Sequence, residues 1–129
     1  MERYLIDTTV FLAWLNNRKK LSSRVYEILA DPQSEIYISA ASIWEIDLKR
    51  GLGEVSLENV DISAVIEESG FHKVDISSKS AKVAKTLPST QQDPFNRTII
   101  AQAMNKQLTL ITMDKSIKAT EELKVLSNN

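Results

Sequence analysis

Five residues far apart in the chain carry oxygen ligands where chemistry is plausible: Asp7, Glu45, Asp93, Asn96 and Asp114. Asp7 follows the apolar run Tyr4-Leu5-Ile6 and precedes Thr8-Thr9, so it stands at the carboxyl end of a predicted strand. In open parallel α/β sheets ligands bind at that edge, because strand ends and helix starts leave polar groups around a crevice. Each residue also has an ordinary structural use. Asp7 can cap the helix that follows, Glu45 has Lys49 four residues on, Asp93 is a competent N-cap with Arg97 four residues on, and Asp114 can cap a short helix. Caps and surface pairs have no reason to gather at one sheet edge, so the coincidence favours a site. Two carboxylates about 4 Å apart at an effective dielectric near 20 repel by about 4 kcal/mol, so such a cluster needs protons or cations. Mg²⁺ or Mn²⁺ prefers carboxylate oxygens, keeps several waters, and can activate one of them against a phosphodiester.

The elements that must position these residues follow from periodicity. Arg3 to Ile6 reads as a strand, and Val10, Phe11, Trp14 and Leu15 share one face of the helix after it. Asn16 to Lys20 is a polar turn. A helix follows over residues 21–29, with Leu21, Val25, Ile28 and Leu29 on one face, and Asp31-Pro32 stops it. Glu35 to Ser39 is a second strand, Ala40 to Leu52 a helix, Val60 to Ser69 a helix closed by Gly70, and Phe71 to Ile76 a third strand. Ser77 or Ser78 caps a helix whose Ala81, Ala84 and Leu87 follow one another on a face and which Pro88 ends. Asp93-Pro94 opens a helix running to about Lys106, with Ile99, Ile100, Ala103 and Met104 buried. Leu108 to Thr112 is the fourth strand, Met113-Asp114 a turn, Ser116 to Glu122 a short helix, and Lys124 to Leu126 a final edge strand. Alternating strands and helices imply a parallel sheet of four to five strands with helices on both faces.

Composition narrows the classes. The 129 residues suit one domain with its own core. With 16 basic against 17 acidic residues the chain has no bulk positive field for non-specific nucleic-acid binding. Local basic clusters stand at Arg18-Lys19-Lys20 and Lys49-Arg50. The sequence has no cysteine, which excludes disulfides and thiolate metal sites and fits a reducing compartment. No apolar run approaches the roughly 20 residues of a membrane span, and Asp7 interrupts the N-terminal apolar stretch a signal peptide needs, so the expectation is a cytoplasmic protein without a membrane partner. Asp47, Asp61 and Asp75 fall away from strand ends and read as surface charges. His72 is the single histidine and sits inside a strand pattern, which argues against catalysis there. Trp14 and Trp44 lie in helices beside apolar neighbours and read as core.

Four blocks of the sequence resemble the signature blocks of PIN-domain ribonucleases, most nearly the VapC-type toxins of bacterial toxin-antitoxin pairs: Leu5-Ile6-Asp7-Thr8, Ser39-Ala40-Ala41-Ser42-Ile43-Trp44-Glu45-Ile46, Asp93-Pro94-Phe95-Asn96-Arg97 leading to Ile100-Ala101-Gln102-Ala103, and Leu108 to Asp114. They occur in the right order over nearly the whole chain. The resemblance implies a three-layer PIN fold, a Mg²⁺- or Mn²⁺-dependent endoribonuclease acting on RNA (transfer RNA is a frequent target of such proteins), a homodimer, and a cognate antitoxin that enters the acidic groove. It assigns Asp7, Glu45 and Asp114 to family acids, with Asp7 a direct metal ligand, and aligns Thr8 with the hydroxyl residue after the first acid. It makes Asp93 and Asn96 further candidate ligands, and Lys49, Arg50 and Arg97 candidate phosphate contacts.

The departure is Asn96, where relatives usually carry Asp. An amide oxygen can coordinate but brings no charge. Asp93, one turn away, stands in for the missing acid; or the chain is a weakened or inactive module that holds RNA or an antitoxin; or the change was made to keep a toxic protein expressible. A reading of a different class, phosphoryl transfer through an aspartyl-phosphate at Asp7, wants a second Asp two residues on, where this chain has Thr9.

Overall fold

A computed structural model of the chain describes residues 2–87 and 93–129. In it five strands form one parallel sheet: β1 (Arg3–Ile6), β2 (Glu35–Ser39), β3 (His72–Val74), β4 (Thr109–Thr112) and β5 (Val125–Ser127), in the order β3-β2-β1-β4-β5. Six α-helices connect them: α1 (Thr8–Asn16), α2 (Ser23–Ala30), α3 (Ala40–Gly51), α4 (Ile62–Ser69), α5 (Ser78–Thr86) and α6 (Pro94–Lys106), with a short 3₁₀ turn at Arg18–Lys20. This is the predicted α/β fold, with β1 at the centre. Leu5 pairs with Tyr37 on one side and Leu110 on the other, and Ile6 with Ile38 and Ile111.

Successive residues of β1 feed opposite cores, as the period of two requires. Ile6 packs with Val10, Phe11, Trp14, Val25, Ile46 and Phe71, whereas Leu5 packs with Ala41, Ile99, Ile100, Ala103 and Leu110. Burial on both faces explains why the strands read as continuous apolar runs. The helix starts also follow local chemistry. Asp7, Ser22, Asp61, Ser77 and Asp93 accept backbone N–H bonds at the starts of α1, α2, α4, α5 and α6. Gly70 closes α4 at φ +74°, a left-handed cap that glycine adopts without steric cost.

The structure corrects several expectations. Residues 116–122 are not helical. Asp114 Oδ1 accepts from the Ser116 N–H at 2.9 Å, and Thr120 Oγ1 accepts from Glu122 and Leu123, so side chains take the bonds a helix would make. Ile117 and Leu123 are both buried although six residues apart, a spacing that no single helical face provides. Trp44 is not core: it is 60% exposed, because α3 turns Ala41, Ser42, Glu45 and Ile46 inward. In α5 the fully buried residue is Ser80, inside a capping box with Ser77, and Ala81 faces solvent. The third strand is shorter than the predicted 71–76. Pro88, read as the end of α5, lies outside the described residues.

Candidate active site at the strand-end crevice

The sheet order reverses between β1 and β4, since the chain moves outward from β1 to β2 and β3 and returns to the other side for β4. That switch point is where an open parallel sheet leaves a crevice. Asp7 leaves β1 there, its N–H still bonded to Ile111 O of β4 at 3.1 Å. Its carboxylate is 5% exposed and has two jobs. Oδ1 accepts from the Val10 N–H at 2.9 Å and caps α1, and Oδ2 accepts from Thr112 Oγ1 at 2.5 Å. Capping and a place at the crevice are therefore compatible. Thr112 Oγ1 in turn accepts from the Asp114 N–H at 2.9 Å, so one hydroxyl links the two acids. Burial pushes the Asp7 carboxyl above its ordinary range, bonds from Thr112, Val10 and Met113 oppose this, and the Asp114 charge pushes it further up. Asp114 is half-buried, with Oδ1 bonded to Ser116.

The other acidic candidates lie on α3 and at the start of α6. Glu45 is 4% exposed; Oε2 accepts from Lys49 Nζ at 2.8 Å, and Oε1 is buried without a partner. A buried carboxylate oxygen left unpaired is costly, so Glu45 Oε1 calls for a donor or a cation. The expected ion pair between Glu45 and Lys49 thus exists and satisfies only half of the carboxylate. Glu45 above all holds the Lys49 ammonium in its charged form, and Asp93 and Glu54 add to this, which places Asp93 within the electrostatic reach of Lys49. Asp93 Oδ1 accepts from the Phe95 and Asn96 N–H groups at 2.8 and 3.3 Å, as the N-cap reading requires.

The remaining candidates are placed as follows. Thr8 is buried, and its hydroxyl donates to Ser42 Oγ at 2.9 Å, docking α1 on α3. Asn96 is half-buried in the first turn of α6. Arg97 Nη2 donates to Ala84 O and Leu87 O at 2.7 and 3.0 Å, tying α6 to the end of α5. Arg50 Nη2 donates to Leu57 O and Val60 O at 2.9 and 3.3 Å, holding the connection from α3 to α4. His72 is exposed on β3 with its ring 5.1 Å from Tyr37.

Periodicity missed Gln102. It is 1% exposed; its Oε1 accepts from Ser39 Oγ, and its Nε2 donates to Val74 O and Asp75 O, so one amide joins α6 to the ends of β2 and β3. The signal was present as a polar residue between Ala101 and Ala103 in a buried stripe, since such a residue must find partners.

The donor set is all oxygen, which suits a hard divalent ion, and the unpaired Glu45 Oε1 gives it a place to act. Among the described residues, however, no three acidic, histidine or cysteine side chains lie close enough together to hold an ion by themselves. A Mg²⁺-like ion tolerates that, because it is commonly held by one or two carboxylates and keeps several waters.

A doubly wound parallel sheet with Asp7 and Asp114 at its switch point defines an α/β domain with acids at its strand-end edge. The chain belongs to the PIN-domain family, whose model matches residues 4–123. No curated protein matches it. Among solved structures it is similar to a chain of VapBC2 from Rickettsia felis bound to a DNA fragment from its promoter, at 19% identity and TM-score 0.72 over 98% of both chains. A toxin-antitoxin complex from Klebsiella pneumoniae is similar at 19% identity and TM-score 0.67, again over 98% of both. So is VapBC-5 from Mycobacterium tuberculosis, at 15% identity and TM-score 0.59 over 98% of this chain and 99% of that one. At these identities the likeness is one of fold.

Proposed function

We propose that the chain is a single PIN domain acting in the cytoplasm as a VapC-type toxin, a Mg²⁺- or Mn²⁺-dependent endoribonuclease neutralised by a cognate antitoxin and working as a homodimer. The observation that carries this reading is the pair Asp7 and Asp114, brought to the β1/β4 switch point and linked through Thr112. The family membership and the toxin-antitoxin complexes among the structural neighbours support it.

In this reading Asp7 and Asp114 hold the ion from the sheet side, with Asp93 and the amide oxygen of Asn96 approaching from the start of α6. Glu45 supplies its unpaired Oε1, either to the ion's water shell or as the acceptor of the attacking water's proton. A bound divalent ion supplies charge neutralisation at the scissile phosphate and lowers the pKa of water. Thr8 sets the spacing of α1 and α3, and so the distance from Asp7 to Glu45. Lys49 is the nearest cation for a phosphate once Glu45 is otherwise engaged, while Arg50 and Arg97 contribute by exchanging backbone carbonyls for substrate.

A second reading is favoured by Asn96 together with the lack of a three-acid group among the described residues: a module with weakened or no cleavage that retains RNA or antitoxin binding. One experiment separates the two. Mn²⁺ binding is measured by calorimetry for the chain and for Asn96→Asp, and both are assayed for RNA cleavage, transfer RNA first, with Asp7→Asn as the background control. Cleavage by the chain itself that Asp7→Asn abolishes supports the enzyme. Cleavage and tight Mn²⁺ binding that appear only in Asn96→Asp support the weakened module and count against a working enzyme.

A further inference from the structure

Trp44 is the largest exposed apolar side chain described, and neither the fold nor the acid chemistry accounts for it. It lies in the second turn of α3, directly before Glu45, and α3 begins at the carboxyl end of β2. Its indole meets the ring of Phe95 edge-on, with centroids 5.1 Å apart and planes at 76°. Phe95 is held in the first turn of α6 by its N–H bond to Asp93 and stands directly before Asn96. An edge-on neighbour fixes the indole's orientation while covering at most one of its faces. The result is a braced, open aromatic surface beside the start of α6, where Asp93 and Asn96 stand.

Leu48 and Leu52 continue the exposed strip at one-turn intervals, but the helix rise carries them about 6 and about 12 Å from Trp44, away from the edge. Of the three, only Trp44 has a described ring contact with the start of α6, where Asp93 and Asn96 stand. Aromatic side chains are sequence-tolerant platforms for unpaired bases, worth about 1–3 kcal/mol per base.

We infer that Trp44, braced by Phe95, stacks on a nucleobase of single-stranded RNA next to the phosphate presented to Asp7 and Asp114. This inference rests on the ribonuclease reading for its substrate and adds a positioning residue to it. Stacking on one side of the cut fixes the register of the strand, so Trp44 acts on substrate placement and leaves proton transfer to the acids.

Fluorescence tests the stacking without requiring cleavage. The chain has two tryptophans, and Trp14 is buried with its Nε1 bonded to Ser69, so a change in emission on adding RNA reports Trp44. A single-stranded RNA decamer with Mg²⁺ is mixed by stopped flow and read before turnover. Expected are quenching in the chain and none in Trp44→Phe. In cleavage assays Trp44→Ala is expected to raise KM by about 5- to 150-fold, with kcat changed far less and Trp44→Phe close to the parent. An abasic nucleotide beside the cut should reproduce the Trp44→Ala defect and add nothing to it. Quenching without any cleavage keeps the stacking and removes the ribonuclease reading. Unquenched emission, or cleavage indifferent to Trp44→Ala, overturns the stacking. A doubling of mass that shifts Trp44 emission without RNA and is lost in Trp44→Ala also overturns it, because the surface then belongs to a second copy.

Discussion

The hydroxyl of Thr112 donates to the carboxylate of Asp7 at 2.5 Å across the boundary between β4 and β1, linking residues 105 positions apart. Thr112 is fully buried, so Val fills the same space without the donor and without the acceptor for the Asp114 N–H. A hydrogen bond to a charged group contributes about 1.5–3 kcal/mol, and Thr112→Val is expected to lower stability by about 2–3 kcal/mol in urea at neutral pH. Thr112→Ser, which keeps the hydroxyl, should lose less than half of that. Equal losses in the two variants would assign the effect to packing.

Asp7 gives a pH dependence of definite sign. Burial raises its carboxyl pKa above the ordinary 3.8, so the folded chain holds the proton more tightly than the unfolded one. Stability from this residue is complete below about pH 3.8 and declines as pH rises through the folded value. Asp7→Asn removes the decline and keeps a competent N-cap, since Asn ranks with Asp there. Without divalent ions, the variant should be more stable than the parent at pH 7.5 and no more stable at pH 3. Added Mn²⁺ should stabilise the parent and not the variant. Urea titrations at the two pH values, with chelator and with Mn²⁺, check each part.

Among the described residues, Lys49 is the one partner of the buried Glu45 carboxylate. Lys49→Ala leaves both Glu45 oxygens without a protein partner. A fully buried pair broken in this way costs about 3–5 kcal/mol, and because the Lys49 side chain is 38% exposed the expected loss is nearer about 1–2 kcal/mol. The Lys49 pKa is raised above 10.5, chiefly by Glu45, so on the lysine side the pair's contribution is complete below that pH and is lost only above it. Thermal unfolding at pH 6, 8 and 11.5 would show a gap between parent and variant that narrows only at the last.

Gln102→Leu keeps volume and removes the amide. Ser39 Oγ then loses its acceptor, and Val74 O and Asp75 O lose a donor at the ends of β2 and β3. The expected cost is about 2–3 kcal/mol. Because Ser39 also caps α3, hydrogen exchange should quicken first at Ala41, whose N–H bonds to Ser39 Oγ at 3.0 Å.

The fold was legible because each helix start carries its cap in the sequence and the central strands carry successive apolar residues, Leu5-Ile6 in β1 and Leu110-Ile111 in β4, in alternation with helices. The placement of Asp7 and Asp114 at the sheet edge was legible for the same reason: Asp7 directly follows β1, and Asp114 stands two residues after β4. What stayed hidden was the direction in which α3 faces. Its apolar Trp44 and Leu48, and Leu52 just past its end, point to solvent, while Ser42 and Glu45 share its inward side with the core residues Ala41 and Ile46, so hydropathy alone does not mark the buried face. Residues 116–122 misled similarly, since Asp114 and Thr120 take over local N–H groups by side-chain bonds that composition does not reveal. Arg50 and Arg97 read as candidate phosphate contacts because the backbone carbonyls they bond, at the ends of other elements, carry no signal in the sequence.

The central position of β1 between β2 and β4 has a consequence for synthesis on the ribosome. Domains form as their residues emerge, N-terminal part first, yet the strand that completes the crevice spans Thr109–Thr112, and Asp114 follows it. A nascent chain that has exposed only α1 to α5 carries Asp7 and Glu45 with nothing opposite them. That edge of the sheet therefore forms late in translation, and a chain aborted before β4 is released with Asp7 facing no partner strand on that side.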